Sequence, residues 1–589
     1  MPHRPERRDW VVAGVAAVAL AIVLTWPWAI ELWRGKASGD AGQFTWNAWW
    51  VAHQVLSLHN PWWTDYQFAP VGAYLTAHTL ETLLFAALAP LTTLIGPIPV
   101  YGLTIIGLHA AAAVLMWRLA FAMGLGRVGA ATAGILWASS PIVVFKATAH
   151  LNQLVLIAAL PAAFLVWRRL VRTARIRDGV LLGAFLGAAV LTDPLVAAYL
   201  LLSLLAAEGY VLFGSRSQPL RRRGSALLAG AATSLVVGLP FWVATVHAES
   251  SGHYGATQRE RVATAQALNA DVVEFFLPSP FGRVLQGAYG WAADRLGGFA
   301  DHAVDTPVSL GYATLLLALV GLAATYKSRR TRWLAASVLV CAVLALGPSL
   351  KLAGQVHAPL PFGRGEPMSL ALPGSWLTQA PVLRDLRVPT RFMILGAFAA
   401  ALLAGIGARA IIGERRRLGA ATLVCLCGIA VGEGIVTMRG DADPAGKRVA
   451  RLIADDPRSG IVVDVPLGWS DGFATLGWSP SPSRPLLQQT IHEKPMAAGY
   501  ISRIDRARYD LLLEHPLYRA ILLRQASDKN APDVRPATER AARADADDLR
   551  ARWVVVWPEA DRRVLPFLRR IGYRQVSDGG RDVLLFTRR

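Results

Sequence analysis

Trp33-Arg34-Gly35-Lys36-Ala37-Ser38-Gly39-Asp40-Ala41-Gly42-Gln43-Phe44-Thr45-Trp46-Asn47-Ala48-Trp49-Trp50 follows directly on the first long apolar run and continues through His59-Asn60-Pro61-Trp62-Trp63 to His78. An acidic residue among glycines lies a few residues beyond a membrane-length helix and ahead of a tryptophan cluster. Tryptophan favours the headgroup level, so this pattern places a carboxylate at the membrane surface. Asp40 is that carboxylate and the candidate catalytic residue. The competing role is structural, because an aspartate at a helix start accepts hydrogen bonds from free N–H groups and would serve as the N-cap of the helix that follows.

Working outward, the 589-residue chain is 54% hydrophobic with a mean hydropathy of +0.37. Its apolar residues fall in runs long enough to cross roughly 30 Å of hydrocarbon. This is a polytopic membrane protein. The net charge of +20 does not point to nucleic acid, since the Lys and Arg residues collect in short loops between apolar runs, where they encode orientation. Cys341, Cys425 and Cys427 all lie inside apolar runs, which leaves neither a disulfide framework nor spaced zinc thiolates. The first run, Trp10 to Trp33, is too long for a signal-peptide core and no small-residue cleavage site follows it. It reads as a retained span, with Arg4, Arg7 and Arg8 in the cytoplasm.

Spans are expected at about 10–33, 98–123, 128–148, 152–171, 178–193, 195–213, 224–246, 308–326, 333–353, 392–413 and 418–438, roughly eleven in all. The apolar segment Thr79 to Gly96 decides the sidedness of everything after it. If it lies along the outer surface, the clusters around Arg172, Arg222, Arg330 and Arg416 all share the cytoplasmic face with the N-terminus. If it crosses, every cluster lands outside, against the positive-inside bias. The surface-lying placement puts loops 34–97, 247–307 and 354–391 and the C-terminal tail outside. Arg118, Lys146, Glu208 and Glu433 fall near span ends, where long side chains snorkel to water. That placement, and the lack of matching halves, argues against a transporter.

From residue 439 the chain turns polar, and 439–589 reads as an extracytoplasmic α/β domain following a transmembrane domain over 1–438. Strands are expected at Ile461–Val465, Trp553–Trp557 and Val583–Phe586, with helices at Asp443–Asp455 and Asp561–Ile571. The segment Glu539–Arg552 reads as a solvated helix face. No phosphate-cradling glycine loop, nucleophile elbow or metal-ligand cluster occurs in it, so no catalytic part is assigned to this domain.

Besides Asp40, three outer sites carry candidate chemistry. His78 and Glu81 stand three residues apart, which on a helix puts them on one face, although Glu81 equally suits a first helical turn. His150 and Asn152 sit at the mouth between the third and fourth spans, where they would hold a sugar or form a hydrated turn. Arg384, Arg387 and Arg391 are three arginines within eight outer residues, against the usual bias. Guanidinium groups meet phosphate oxygens with paired hydrogen bonds, so a phosphate at the membrane lip is their natural partner, with anionic headgroups or Asp385 as the alternative.

The inside N-terminus, the acidic residue soon after span one, the surface-lying helices, about eleven spans and the outer C-terminal domain together resemble the GT-C superfamily of integral-membrane glycosyltransferases. The resemblance covers roughly residues 1–438. It implies a polyprenyl-phosphate-linked sugar as donor, a cell-envelope glycan or lipid as acceptor, membrane lipid as surroundings and no nucleic acid. It implies Asp40 as catalytic carboxylate and Arg387 and Arg391 as phosphate ligands. Gly39-Asp40-Ala41-Gly42 offers one acid where such families often show a pair, so no metal ligand is assigned and a divalent metal stays open. One carboxylate and no nucleophile make direct displacement with inversion the simpler route. The competing functions are an inactive scaffold or glycan-binding protein of envelope assembly, and a glycolipid transporter.

Overall fold

The computed structural model describes residues 5–26, 40–213, 220–252, 257–295, 307–356, 370–380, 383, 386–412, 416–436, 443–525, 534–577 and 583–588. Each expected span holds a helix. Among the described residues, seven are long and apolar enough to cross a membrane: Arg7–Thr25, Pro97–Ala122, Leu151–Thr173, Pro194–Leu212, Arg223–Ser251, Pro389–Ile412 and Arg417–Gly434. Ile176–Thr192 and Arg329–Ala345 are slightly shorter, and Tyr312–Thr325 has 14 residues. The apolar segment after Glu81 is also a 14-residue helix, Thr82–Ile95, about 21 Å long at 1.5 Å per residue.

The third expected span is not one helix. It breaks into Gly126–Ser139 and Pro141–Ala149, with Ser140 extended at φ −55° and ψ 129°. Pro141 has no N–H to give and its ring would strike the preceding turn, so the chain restarts with proline as the first residue of a new helix. Two charges expected to snorkel at span ends do not reach water. Lys146 is wholly buried and Glu433 is 8% exposed. Glu433 accepts the Tyr312 backbone N–H at 2.9 Å, closing the start of Tyr312–Thr325.

Helices Ile176–Thr192 and Leu220–Ser251 cross almost backbone to backbone. A Cβ on Gly183 would come within 2.0 Å of the Gly230 carbonyl oxygen, and one on Gly179 within 1.9 Å of that of Ala226. Small residues at four-residue spacing on one helix permit this approach, as is common where lipid supplies no hydrophobic drive.

The C-terminal residues build two sheets. Ile461–Val465, Ala551–Val556, Leu584–Thr587 and Arg574–Ser577 lie side by side in that order, the first pair parallel and the others antiparallel. A three-stranded sheet of Thr475–Gly477, Gly468–Ser470 and Gly499–Tyr500 was not expected from the sequence. This α/β unit packs onto the first loop. Trp46 Nε1 donates to Gln489 Oε1 at 2.6 Å and Trp49 Nε1 to Glu493 Oε1 at 3.1 Å. Gln489 Nε2 in turn donates to the Tyr66 carbonyl at 2.6 Å. The tryptophans expected at the headgroup level are therefore core: Trp46 and Trp50 are at most 1% exposed. A Cβ on Gly42 would lie 2.3 Å from the Ser483 carbonyl oxygen, so the first-loop helix Ala41–Leu56 touches helix Ser483–His492 where only glycine fits.

Candidate active site

Asp40 stands at the N-cap position of Ala41–Leu56, yet its side chain caps nothing. Its two oxygens point away from the helix. Oδ1 accepts from the Tyr500 phenol at 3.0 Å, and Oδ2 lies 3.1 Å from His150 Nδ1. The capping role is thereby excluded, and the carboxylate is held between a residue of the membrane part and one of the C-terminal unit. His150 reaches it because it is the extended residue between Pro141–Ala149 and Leu151–Thr173.

Asp40, His150, Asn152, Arg387 and Arg391 line one cavity of about 1290 Å³. Arg391 follows Pro389 in a short 3-10 turn that starts helix Phe392–Ile412. With the Gln153 amide turned so that its oxygen faces Arg391, it accepts from Nε at 3.0 Å and Nη2 at 3.2 Å. Arg387 donates to the Gly472 carbonyl at 2.5 Å. Arg384 lies outside the described residues.

Beyond this polar mouth the cavity wall is apolar, with Leu182, Leu186, Val190 and Leu204 among its residues. Asp193 near the mouth and Glu208 at the far end both line it. They are fifteen residues apart along one helix, about 22 Å at 1.5 Å per residue. Leu201, Leu205 and Leu235 line the cavity while remaining 49%, 59% and 62% exposed. The slot therefore opens sideways between Pro194–Leu212 and Leu220–Ser251, toward what would be lipid. The far end is closed by Glu208, which accepts from Trp167 Nε1 at 2.9 Å and from the buried Arg223.

His78 and Glu81 do not form one helical face. The helix begins only at Thr82, and Glu81 is left-handed at φ 50°. Asn47 joins the two: its Nδ2 donates to Glu81 Oε2 at 3.1 Å, and its Oδ1 lies 3.2 Å from His78 Nε2. His78 Nδ1 accepts the Ser502 backbone N–H at 3.0 Å, leaving the proton on Nε2 to face Asn47. Burial holds the imidazole down at about 3, against a smaller opposing pull from Asp40. Burial raises the Glu81 carboxyl well above its usual range, and it is absent from the cavity wall. Glu81 is thus buried beside Asn47 and off the cavity wall, while His78 borders the cavity as a neutral link to the C-terminal unit.

The sequence assigned that unit no part in the site. The structure brings Tyr500, Ser502 and Arg503 into the cavity wall. Tyr500 ends a two-residue strand and the other two follow it, and so short a strand leaves no periodic signal, so no pattern marked them. Among the described residues, no three His, Cys, Asp or Glu side chains group as a metal would require.

Comparison with known folds follows from this architecture. The mycobacterial arabinofuranosyltransferase AftD matches with a TM-score of 0.55 at 14% identity, over 100% of this chain and 40% of AftD. The oligosaccharyltransferase of Archaeoglobus fulgidus matches with a TM-score of 0.51 at 11% identity, over 94% of this chain and 70% of that one. The fold is that of the GT-C membrane glycosyltransferases. At these identities the likeness concerns the GT-C fold alone, and the chain spans about two fifths of the length of AftD. No protein-family model matches the sequence, and no curated protein matches it.

Proposed function

We propose that the protein transfers a sugar from a polyprenyl-phosphate donor to a hydroxyl of a cell-envelope glycan or lipid, with inversion. One observation carries this reading: a carboxylate and two arginines line a single cavity that also has a largely apolar stretch running about 22 Å from Asp193 to Glu208 and open to the side. A lipid with a phosphate head and an isoprenoid tail matches that division. The tail would lie along Leu186 and Leu204, and the phosphate near Arg387 and Arg391.

The reaction is then one displacement. The acceptor oxygen bonds to the anomeric carbon as the bond from that carbon to the phosphate oxygen breaks. The acceptor proton passes to Asp40, whose oxygens each keep a lone pair beyond those used by Tyr500 and His150. The electron pair leaves with the polyprenyl phosphate, and the arginines stabilise the added negative charge. A phosphate is a good leaving group, so no strong general acid is needed. Asn152 and His150 stand where the sugar would be.

The test is transfer by purified protein from a polyprenyl-phosphate sugar to a labelled acceptor, with the product anomer read by NMR. The expected product has the configuration opposite to the donor. Retention would remove the single-displacement mechanism, and failure with every donor, together with envelope-glycan binding by the protein, would favour the scaffold.

A further inference from the structure

We propose that the cavity has a second, water-facing opening beside Trp242 and Glu249, that this opening seats the acceptor, and that the acceptor is a glycan chain in water and not a lipid. The proposal rests on the polyprenyl-phosphate reading and names the acceptor class for that same site.

Helices Ile176–Thr192 and Leu220–Ser251 run side by side in the same direction. Gly179 meets Ala226, Gly183 meets Gly230, and a Cβ on Gly238 would lie 3.4 Å from Val190 Cγ1. Trp242, one turn past Gly238, is therefore level with Asp193, which follows Val190 at the top of the slot. Leu235, Trp242 and Glu249 all line the cavity, and their spacing of seven returns a helix to nearly the same face. That face changes from leucine to indole to carboxylate as it rises, with Glu249 about 10 Å beyond Trp242 at 1.5 Å per residue. Tryptophan favours the headgroup level, so the apolar wall ends at Trp242 and Glu249 stands in water.

Glu249 and Gly472 are exposed and both line the cavity. One ends a membrane helix and the other belongs to the C-terminal unit, so the cavity opens to water between the two. The exposed leucines of the wall, Leu201, Leu205 and Leu235, belong instead to the lateral slot that the donor tail fills. Among the described wall residues an acceptor lipid finds no second apolar path, whereas a chain in water finds this opening. The rim is held in place. Trp62 Nε1 donates to Thr82 Oγ1 at 3.1 Å, and the Trp62 ring packs against Phe241 at 6.1 Å. The Tyr74 hydroxyl lies 3.3 Å from His247 Nε2. A Cβ on Gly252 would lie 2.1 Å from Asp505 Oδ2, so the C-terminal unit closes on the helix end. Trp62 and Tyr74 belong to the first loop that also carries Asp40, which ties the rim to the carboxylate.

The chemistry of the opening matches a polyol. A sugar ring presents C–H groups on its face and hydroxyls around its edge. The half-exposed Trp242 indole offers an electron-rich face to the first, and the Glu249 carboxylate accepts hydrogen bonds from the second. Charged groups of both signs line this end of the cavity: Asp40, Asp193 and Glu249 with Arg387, Arg391 and Arg503. Asp193 and Arg391 attract each other directly. Such a mixed rim selects hydroxyls, which both donate and accept, over an acceptor of one charge.

The experiment supplies the full chain in lipid nanodiscs with radiolabelled polyprenyl-phosphate pentoses and hexoses. Two acceptors are offered separately: the water-soluble glycan fraction and the organic-soluble lipid fraction of a cell-envelope extract. Label is expected to enter the glycan fraction only. With that fraction as acceptor, Glu249→Gln and Trp242→Ala should each raise the acceptor KM about tenfold, as for one hydrogen bond to a charged group or one lost ring contact. The donor KM should stay unchanged, which also reports intact folding, and Trp242→Phe should recover part of the loss. Label entering the lipid fraction, alone or beside the glycan, overturns the acceptor class while leaving the donor reading standing. An acceptor KM unchanged in both variants, or a donor KM that rises with it, overturns the subsite. If label from every donor enters neither fraction, the donor reading itself fails and the acceptor opening falls with it.

Discussion

The Tyr500 phenol donates to Asp40 Oδ1 at 3.0 Å although 460 residues separate the two in the chain. With His150 on the other oxygen, this fixes the plane and position of the carboxylate before any substrate arrives. Tyr500 acts through Asp40, and that has a measurable signature. Asp40→Asn keeps the shape and cannot take a proton, so transfer should fall about 10²-fold or more with little change in thermal midpoint. Tyr500→Phe should cost roughly tenfold, in the range of one hydrogen bond to a charged group. The double variant should be no slower than Asp40→Asn alone, because residues acting as one unit are not additive. Initial rates of the three variants decide it, and additive losses would assign Tyr500 a separate role.

Arg391 presents Nε and Nη2 together to Gln153, a geometry that lysine cannot copy. Arg391→Ala should weaken polyprenyl monophosphate binding about tenfold or more, and Arg391→Lys should recover less than a restored charge alone would. Full recovery by Lys would mean that only the charge matters, as for a headgroup contact.

His78 predicts a pH dependence of stability. Its folded-state pKa of about 3 lies below the ordinary histidine value of 6.5 because of burial. Between those values the unfolded chain binds the proton and the folded chain does not, so the stability it contributes at pH 7 should decline as pH falls from about 6.5 toward 3. His492, held down at about 3 by burial, adds a parallel slope. Thermal midpoints of His78→Gln over pH 7 to 4.5 should fall less steeply than those of the unmutated protein. An unchanged slope would show that His78 is not buried in its neutral form.

The pair of Glu208 and Arg223 closes the far end of the cavity, with the Arg223 side chain 2% exposed. Arg223→Met leaves a carboxylate without its cation and should destabilise the protein by about 3–5 kcal/mol, whereas changing both residues to Leu should recover much of that loss. Thermal midpoints of the single and double variants measure it. A double variant as unstable as the single one would mean that the pair does more than neutralise itself.

Sequence alone determined where the long apolar helices lie and which central strands the C-terminal unit contains. Those features are local: hydropathy runs, glycine and proline punctuation and charge in short loops each act within a few turns of chain. Even so, Pro141 sits in a run apolar enough to read as one span, and only the structure shows the helix restarting there. The tertiary structure decided which faces meet. Glycine crossings such as Gly42 on Ser483 and Gly183 on Gly230 depend on both partners being present, so neither half announces the contact. Tyr500, Ser502 and Arg503 join the cavity because helix Ser483–His492 docks on the first-loop tryptophans and turns their segment inward. A contact between residues 460 apart is set by complementary surfaces, and periodicity within one segment carries no record of it.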